Sequence, residues 1–155
     1  MEYALVKTIH ILSAFLLFGT GLGSAFYKYM ADRNGDLRNM AVTSKHVVLA
    51  DWMFTAPTVI IQPATGLYLA HLAGYPLSQL WLWLSLLLFG IAGMCWLPVV
   101  WLQIRMRDMA CHALETDTPL PARYHQMARI WFLLGIPAFL AITTVVFLMV
   151  FKPHG

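Results

Sequence analysis

Four long apolar stretches, separated by short polar segments, make up most of the chain. They run approximately over Tyr3–Tyr27, Val47–Leu72, Leu80–Ile104 and Ile130–Phe151. A helix needs about 20 apolar residues to cross a hydrocarbon core of about 30 Å. The stretches lack the alternation of barrel strands, and lipid offers no partners to backbone amides, so each is predicted to be a transmembrane helix. We therefore expect an all-α membrane protein, a single domain over residues 1–155 that forms an antiparallel four-helix bundle.

The composition supports a membrane location and excludes a nucleic-acid partner. Hydrophobic residues make up 60% of the chain and charged residues 11%, about half the charged fraction of a soluble domain. The ten Lys and Arg residues are scattered at predicted helix ends and form no basic stripe for a phosphate backbone. The first apolar stretch is longer than a signal peptide and follows Glu2, so we expect it to be retained as a helix.

Basic residues predict the orientation of the helices. Four lie between the first and second stretches and four between the third and fourth, whereas residues 73–79 contain none: Lys28, Arg33, Arg38, Lys45, Arg105, Arg107, Arg123 and Arg129. Short loops rich in Lys and Arg remain in the cytoplasm. We therefore expect both termini on the opposite side, which is the periplasm if the protein lies in a bacterial inner membrane, the location that we expect.

His10 is the first candidate for chemistry, because an ionisable side chain inside a membrane helix is costly and usually faces other helices. Gly21 and Ser24 share its helical face, together with Ala14 and Leu17. Small residues beside an imidazole suit either close helix packing or a flat macrocycle, and His is a common axial ligand of haem. The pattern predicts a haem ligand or, alternatively, a His that is hydrogen-bonded to a neighbouring helix.

The second stretch carries a polar stripe that includes Asp51, Thr55 and Gln62. Gln62 lies at a depth similar to that of His10, so we expect the two side chains to approach each other, in a pocket or in an interhelical hydrogen bond. His71 is the candidate second haem ligand, although straight helical geometry places it opposite Gln62. It would need the proline kink at Pro63 to turn inward.

Other polar residues are weaker candidates. Arg105 and Arg107, at the end of the third stretch, are expected with Gln103 to meet Asp51 at the same membrane face. This group would be a structural anchor, or a site for a haem propionate or a lipid headgroup. His46, His112, His125 and Cys111 match no compact metal motif, so we expect them in solvated loops. No nucleophilic triad or phosphate loop is present in the sequence, and hydrolysis and phosphoryl transfer therefore have no support.

Several segments resemble a known family over the whole chain. They are residues 6–10 and 19–21, residues 54–57 and 62–66, residues 95–107, and residues 135–139 with the ending Lys152-Pro153. Together they resemble the predicted integral membrane proteins of domain-of-unknown-function family 2269, which brings no assigned activity.

A more distant resemblance concerns the Lys7-x-x-His10 start, the four spans and the Lys-Pro ending. These features are similar to the HemJ-type protoporphyrinogen oxidases and the copper-resistance-D-like membrane proteins. In the HemJ type a first-helix His is implicated in binding b-type haem, which implies this role for His10. A Lys expected in the third helix of that type has no counterpart in Trp81–Phe89, so the resemblance does not extend to protoporphyrinogen oxidation.

The sequence thus predicts a membrane protein that binds haem b and acts in electron transfer or porphyrin-linked redox chemistry. His10 and His71 would be the iron ligands, and a quinone, a porphyrin or a redox protein would be the partner. The alternatives are a cofactor-free accessory subunit of a membrane complex and a permease for a small solute or a metal. A homo-oligomer is compatible with each of these functions.

Overall fold

The computed structural model describes residues 1–153 and is all-helical over that range. Its elements are α1 (Glu2–Asn34), α2 (Leu37–Ala50), a π-helical turn (Asp51–Thr55), α3 (Ala56–Leu72), α4 (Leu80–Thr116) and α5 (Ala122–Phe151). The second helix, the π-helical turn and the third helix follow one another without a break, over Leu37–Leu72. Four helices are therefore long and apolar enough to cross a membrane, which confirms the predicted all-α membrane class.

The helices extend beyond the predicted spans at the ends that carry the basic loops. The first helix continues to Asn34 and α4 to Thr116, whereas α2 begins at Leu37 and α5 at Ala122. A buried cluster stabilises these extensions; it consists of Met40, Ala41, Leu102, Met106, Ala110, Tyr124, Met127 and Trp131. Hydropathy alone identifies the apolar stretches and misses the helix extensions. An extension needs only one apolar face to pack against its neighbours, so its mean hydropathy is low.

Two of the breaks between the helices occur at glycines with a left-handed backbone. Gly35 ends α1 with a φ of 71°, and the Asp36 carboxylate caps α2 by accepting the Asn39 N–H at 3.1 Å. Gly74, in the connection between α3 and α4, has a φ of 73°. A left-handed conformation of this kind costs least at glycine, which has no Cβ.

Glu2 and Lys152 lie at one end of the molecule, which we call the terminal end. The Tyr68 hydroxyl, near the end of α3, donates a hydrogen bond to Glu2. The Lys152 ammonium lies 3.3 Å from the Tyr75 hydroxyl and 5.6 Å from the centre of the Trp81 ring. We call the opposite end, which holds the α1–α2 and α4–α5 connections, the basic end.

The helices associate differently at the two ends. Near the basic end, α2 packs against α4, and α4 packs along α5. Toward the terminal end, α1 packs against α3 and α4 continues along α5, so that two helix pairs lie side by side. The third and fourth helices meet at their hairpin, where Ala70 packs with Trp81 and Leu82. Many large apolar side chains remain exposed on the outer faces, as a lipid environment requires.

An ion pair within α1 binds Tyr124 and so joins α1 to α5 at the basic end. Lys28 is fully buried, and its ammonium lies 2.5 Å from the Asp32 carboxylate. The Tyr124 hydroxyl donates to Asp32 at 2.6 Å and accepts from Lys28 at 2.7 Å. The lysine that the sequence indicates as a topology signal is therefore also a structural residue.

Removing the charge of Asp32 should destabilise the protein. In Asp32→Asn the Lys28 ammonium stays buried without a counter-charge, which costs about 3 kcal/mol for pairs of this kind. We expect a lower thermal unfolding temperature for the purified protein in detergent. The matched control is the double variant Lys28→Met/Asp32→Asn, which removes both charges and should recover most of the loss. A single variant as stable as the wild type would contradict a stabilising role for the pair.

The basic loops also predict the orientation in the membrane. A reporter fused after Gly155, which lies outside the described residues, should be active as a periplasmic-type reporter. A reporter inserted at Gly35 should instead report the cytoplasm, because Lys and Arg residues flank that connection. The measurement is a pair of alkaline phosphatase and green fluorescent protein fusions at each site, and reversed signals would disprove the orientation.

Candidate functional site

His10 lies on the face of α1 that packs against α3. A Cβ atom at Gly66 would come within 3.1 Å of His10 Cε1, so the absence of a side chain there makes room for the imidazole. Ser13, one turn along α1, is 4% exposed and belongs to the same contact. The sequence thus combines a ring on one helix with a glycine on the next, at the depth where the two helices pack.

The hydrogen bonds around His10 define its tautomer. The Thr65 hydroxyl donates to the Ile61 carbonyl at 2.6 Å, so it must accept the 2.8 Å hydrogen bond from His10 Nδ1–H. The Nε2 atom therefore carries a lone pair, and its neighbour is the Gln62 amide nitrogen at 3.4 Å. The Ser13 hydroxyl donates to the side-chain amide oxygen of Gln62. The structure thus brings His10 and Gln62 together. The same contacts agree with the alternative prediction, in which His10 is hydrogen-bonded to a neighbouring helix.

The other predicted site residues lie elsewhere. His71 is exposed in the last turn of α3, nine residues after Gln62 and so on the opposite face, and the structure does not bring it to His10. Arg105 is exposed, with its guanidinium 5.6 Å from the centre of the Trp101 ring. Gly21 and Ser24 line a cavity closer to the basic end.

This central cavity lies between the helix pairs. Its volume is about 420 Å³, and α1, the π-helical turn, α3, α4 and α5 all contribute to its walls. Small-molecule sites commonly have volumes of about 300–1,000 Å³. The walls toward the terminal end are apolar, with Leu17, Phe18 and Phe139 among them. The polar groups lie toward the basic end, on residues Ser24, Asp51, Thr55, Trp96, Gln103 and Trp131.

Asp51 is at the centre of the polar residues at the basic end of the cavity. Its side chain accepts a 2.8 Å hydrogen bond from the Thr55 hydroxyl and a second hydrogen bond from the Gln103 amide. The side-chain amide oxygen of Gln103 in turn accepts a 3.2 Å hydrogen bond from the Trp131 indole N–H. Asp51 is 6% exposed, and no Lys or Arg of residues 1–153 forms an ion pair with it. The two side chains that donate hydrogen bonds to Asp51, Thr55 and Gln103, are therefore both uncharged.

The π-helical turn explains how Asp51 and Thr55 come to face the same side. The Ala56 N–H bonds to the Asp51 carbonyl, five residues earlier, so one residue more than usual fits into this turn. Asp51 and Thr55, four residues apart, are both buried there. Pro57 follows directly and supplies no backbone N–H, which suits an irregular turn. Single π-helical turns are frequent at functional sites.

Trp96 has a donor that is not used. Its indole N–H is buried and has no hydrogen-bond partner within residues 1–153. This N–H lies beside the Asp51 carboxyl group, which is an available acceptor. Its nitrogen has almost no surface accessible from the cavity, so a molecule in the cavity cannot reach it without a rearrangement.

The sequence predicted part of this arrangement. Asp51 and Thr55 lie on the predicted polar stripe, and of the three residues expected to meet Asp51, which are Gln103, Arg105 and Arg107, Gln103 bonds to it in the structure. Arg105 is exposed instead. Arg107 pairs with Asp108 at 2.7 Å. The sequence signal for the contact is an aspartate, Asp51, within one membrane stretch and a glutamine, Gln103, at a similar depth in another.

Comparisons with known proteins add the family but no activity. Within the described part of the chain, no group of three or more His, Cys, Asp or Glu side chains could hold a metal ion. No curated protein and no solved structure matches the chain, so the distant resemblance to HemJ-type and copper-resistance-D-like proteins stays a prediction. Residues 4–153 match the DUF2269 model, described as a predicted integral membrane protein, and the chain therefore belongs to this family.

Proposed function

We propose that this membrane protein binds an amphipathic small molecule in the central cavity. The observation that carries the proposal is the cavity itself, about 420 Å³ with apolar walls and one polar end. Apolar walls with a few convergent polar groups are typical of small-molecule sites. An ionisable residue within a membrane helix, here Asp51, is a functional candidate by default because its burial is costly.

The walls of the cavity argue against ordinary packing. Gly21, Gly93 and Gly135 all line it, and no atom lies within 4 Å of where a Cβ would be at any of them. Protein interiors are close-packed, with few voids larger than a water molecule. A lipid chain would fill the apolar part but would place hydrocarbon against the Asp51 carboxyl group at the polar end. A ligand with both an apolar and a polar part fits better.

Access from the bilayer lies between α1 and α5. Two aromatic contacts join these helices, Phe18 with Phe139 at 5.1 Å and Tyr29 with Phe132 at 5.5 Å between ring centres. Between them Leu22 and Ile136 line the cavity and are 49% and 45% exposed. A ligand dissolved in the membrane would pass between these two flexible side chains, without crossing water.

The two alternative functions receive less support. A permease needs a polar path through the bilayer, whereas the polar groups of this cavity end toward its basic side and its other walls are apolar. A cofactor-free accessory subunit would have no use for a polar cavity in its interior. Both alternatives predict that no specific compound stays with the purified protein.

Filling the cavity should displace its ligand. Gly93→Leu adds a side chain that projects into the cavity, so we expect it to reduce a co-purifying lipophilic compound at least about tenfold, the effect of losing roughly 1.4 kcal/mol of binding free energy. The measurement is mass spectrometry of organic extracts from the purified protein. The matched control is Gly90→Leu, one turn away on the same helix and outside the cavity. Identical extracts from wild type and both variants would contradict the proposal.

Haem b is a second candidate ligand, at His10 in the contact between α1 and α3 and outside the walls of the central cavity. The hydrogen bond at His10 Nδ1 supports it. A metal-ligating His usually donates its other ring N–H to the protein, and His10 Nδ1–H is bonded to Thr65 at 2.8 Å. Nε2 keeps its lone pair, with the Gln62 amide as a long contact at 3.4 Å. His10 would hold the iron at Nε2, and Gln62 would give up that contact. Bound haem would supply one-electron transfer, with a quinone, a porphyrin or a redox protein as the partner.

A visible spectrum tests the haem candidate. Protein purified from haem-replete cells should show a Soret band, and His10→Ala should remove it while the protein still inserts into the membrane. His112→Ala is the control, because it changes a His at the basic end. His71→Ala should convert a low-spin spectrum to a high-spin one if His71 is the second ligand. A colourless wild type would disprove haem binding and leave His10 as an interhelical hydrogen-bonding residue worth about 1 kcal/mol.

A further inference from the structure

We propose that the ligand of the central cavity is a lipophilic cation, such as a protonated amine on an apolar body, and that the Asp51 carboxylate binds its charged group. The inference rests on the proposed function, because it names the chemical class of the molecule that fills the cavity. Its basis is the charge of the cavity wall, together with the hydrogen-bond acceptor that Asp51 retains.

Asp51 supplies the charge of the cavity wall. Within residues 1–153, no Lys, Arg, His or Glu lines the cavity. The two ion pairs in this part of the chain are Lys28 with Asp32 and Arg107 with Asp108, and neither includes Asp51. A carboxylate away from water is costly unless a cation lies beside it. The cavity therefore carries a negative group at one end without a counter-charge, which a cationic ligand would supply.

The side chains around Asp51 suit a carboxylate. The Trp131 indole N–H can only donate, so it fixes the Gln103 amide with its oxygen toward Trp131 and its nitrogen toward Asp51. The Thr55 hydroxyl donates to the other carboxyl oxygen at 2.8 Å, and the Trp96 N–H lies beside the same carboxyl group. Hydrogen bonds from donors favour the charged form of an acid.

Asp51 retains an acceptor site for the ligand. The two oxygens of a carboxylate offer about four lone-pair sites. Three donors of the protein lie beside this carboxylate, on Thr55, Gln103 and Trp96. Asp51 keeps 6% of its surface exposed and forms part of the cavity wall. An ammonium group in the cavity can thus donate to the remaining site without displacing a donor of the protein.

The rest of the wall selects a cation on an apolar body. Trp96 and Trp131 lie at the same end as Asp51, and the faces of aromatic rings attract cations. A phospholipid headgroup would bring a phosphate, which no Lys or Arg of the described cavity wall can bind. The apolar walls toward the terminal end, which include Leu17 and Phe139, would hold the body of the ligand.

The test compares three probes that share a tail and differ in their head group: decylamine, decanol and decanoate. Binding is measured in phosphatidylcholine nanodiscs at neutral pH, with empty nanodiscs as the baseline for partition into lipid. Decylamine is protonated at this pH, as a lysine side chain is. We expect it to bind wild type at least about tenfold more tightly than decanol, the effect of a charge-assisted hydrogen bond. Decanoate should bind most weakly, and equal binding of decylamine and decanol would overturn the inference.

Asp51→Asn removes the charge and keeps the size of the side chain. We expect at least about tenfold weaker binding of decylamine and nearly unchanged binding of decanol, which would show that the variant retains its cavity. Asp108→Asn is the matched control, because it removes the same charge from an exposed side chain outside the cavity. Wild-type affinity of Asp51→Asn for decylamine would overturn the inference. If Asp51→Asn also loses decanol, the three probes on the wild type decide.

A further arm separates a free amine from a lipid headgroup. Phosphatidylethanolamine carries both an ammonium and a phosphate, so its addition to the nanodiscs should not displace decylamine. Displacement would overturn the inference in favour of a lipid headgroup.

The failures of the two proposals are distinguishable. Equal binding of decylamine and decanol to wild type, with both lost in Gly93→Leu, would overturn the inference and leave the cavity function standing. Decylamine binding that Gly93→Leu leaves unchanged would place the amine outside the cavity and overturn the inference. A wild type that binds no probe above the empty-nanodisc baseline would also overturn it. In these last two cases the organic extracts of the two glycine variants still decide the cavity function.

Discussion

The arrangement of this protein depends on polar side chains that bond to one another across helices, where lipid offers no partner. Asp51 bonds to Gln103 and so joins the π-helical turn to α4. Gln103 bonds to Trp131 of α5, and His10 bonds to Thr65 across α1 and α3. Each such bond is worth about 1 kcal/mol in a membrane protein. Their main effect is to determine which helix faces meet, because an apolar contact between two helices is little more favourable than an apolar contact with lipid.

These bonds leave the space between the helix pairs open. The buried cluster and the Lys28–Asp32 pair close the basic end, and the contacts of α1 with α3 and of α4 with α5 form two separate pairs farther along. Gly21, Gly93 and Gly135 face the gap among larger apolar side chains. The fold thus produces a cavity with its polar groups at the closed end and its opening toward lipid, which is the geometry that a membrane-dissolved ligand requires.

The sequence predicted the membrane helices well, because hydropathy is a local signal. It also predicted that His10 and Gln62 would approach each other, since depth along a helix follows from residue counts. It predicted that Gln103, Arg105 and Arg107 would meet Asp51, but not that Gln103 alone would bond to it. Gln103 and Arg105 differ in direction by about 200°, and a nearly uniform apolar helix does not show which face it turns inward. The extension of all four helices beyond the predicted spans was also missed, because it depends on tertiary packing.

The most direct test of the central claim is a crystal structure of the wild-type protein grown from a lipidic phase. The account predicts density for a bound amphipathic molecule in the cavity, with its polar part toward the basic end, where Asp51 and Thr55 lie. It also predicts that Gly93 and Gly21 will face this molecule. A collapsed interior, with the two glycines packed against opposite helices and no bound molecule between them, would contradict the account.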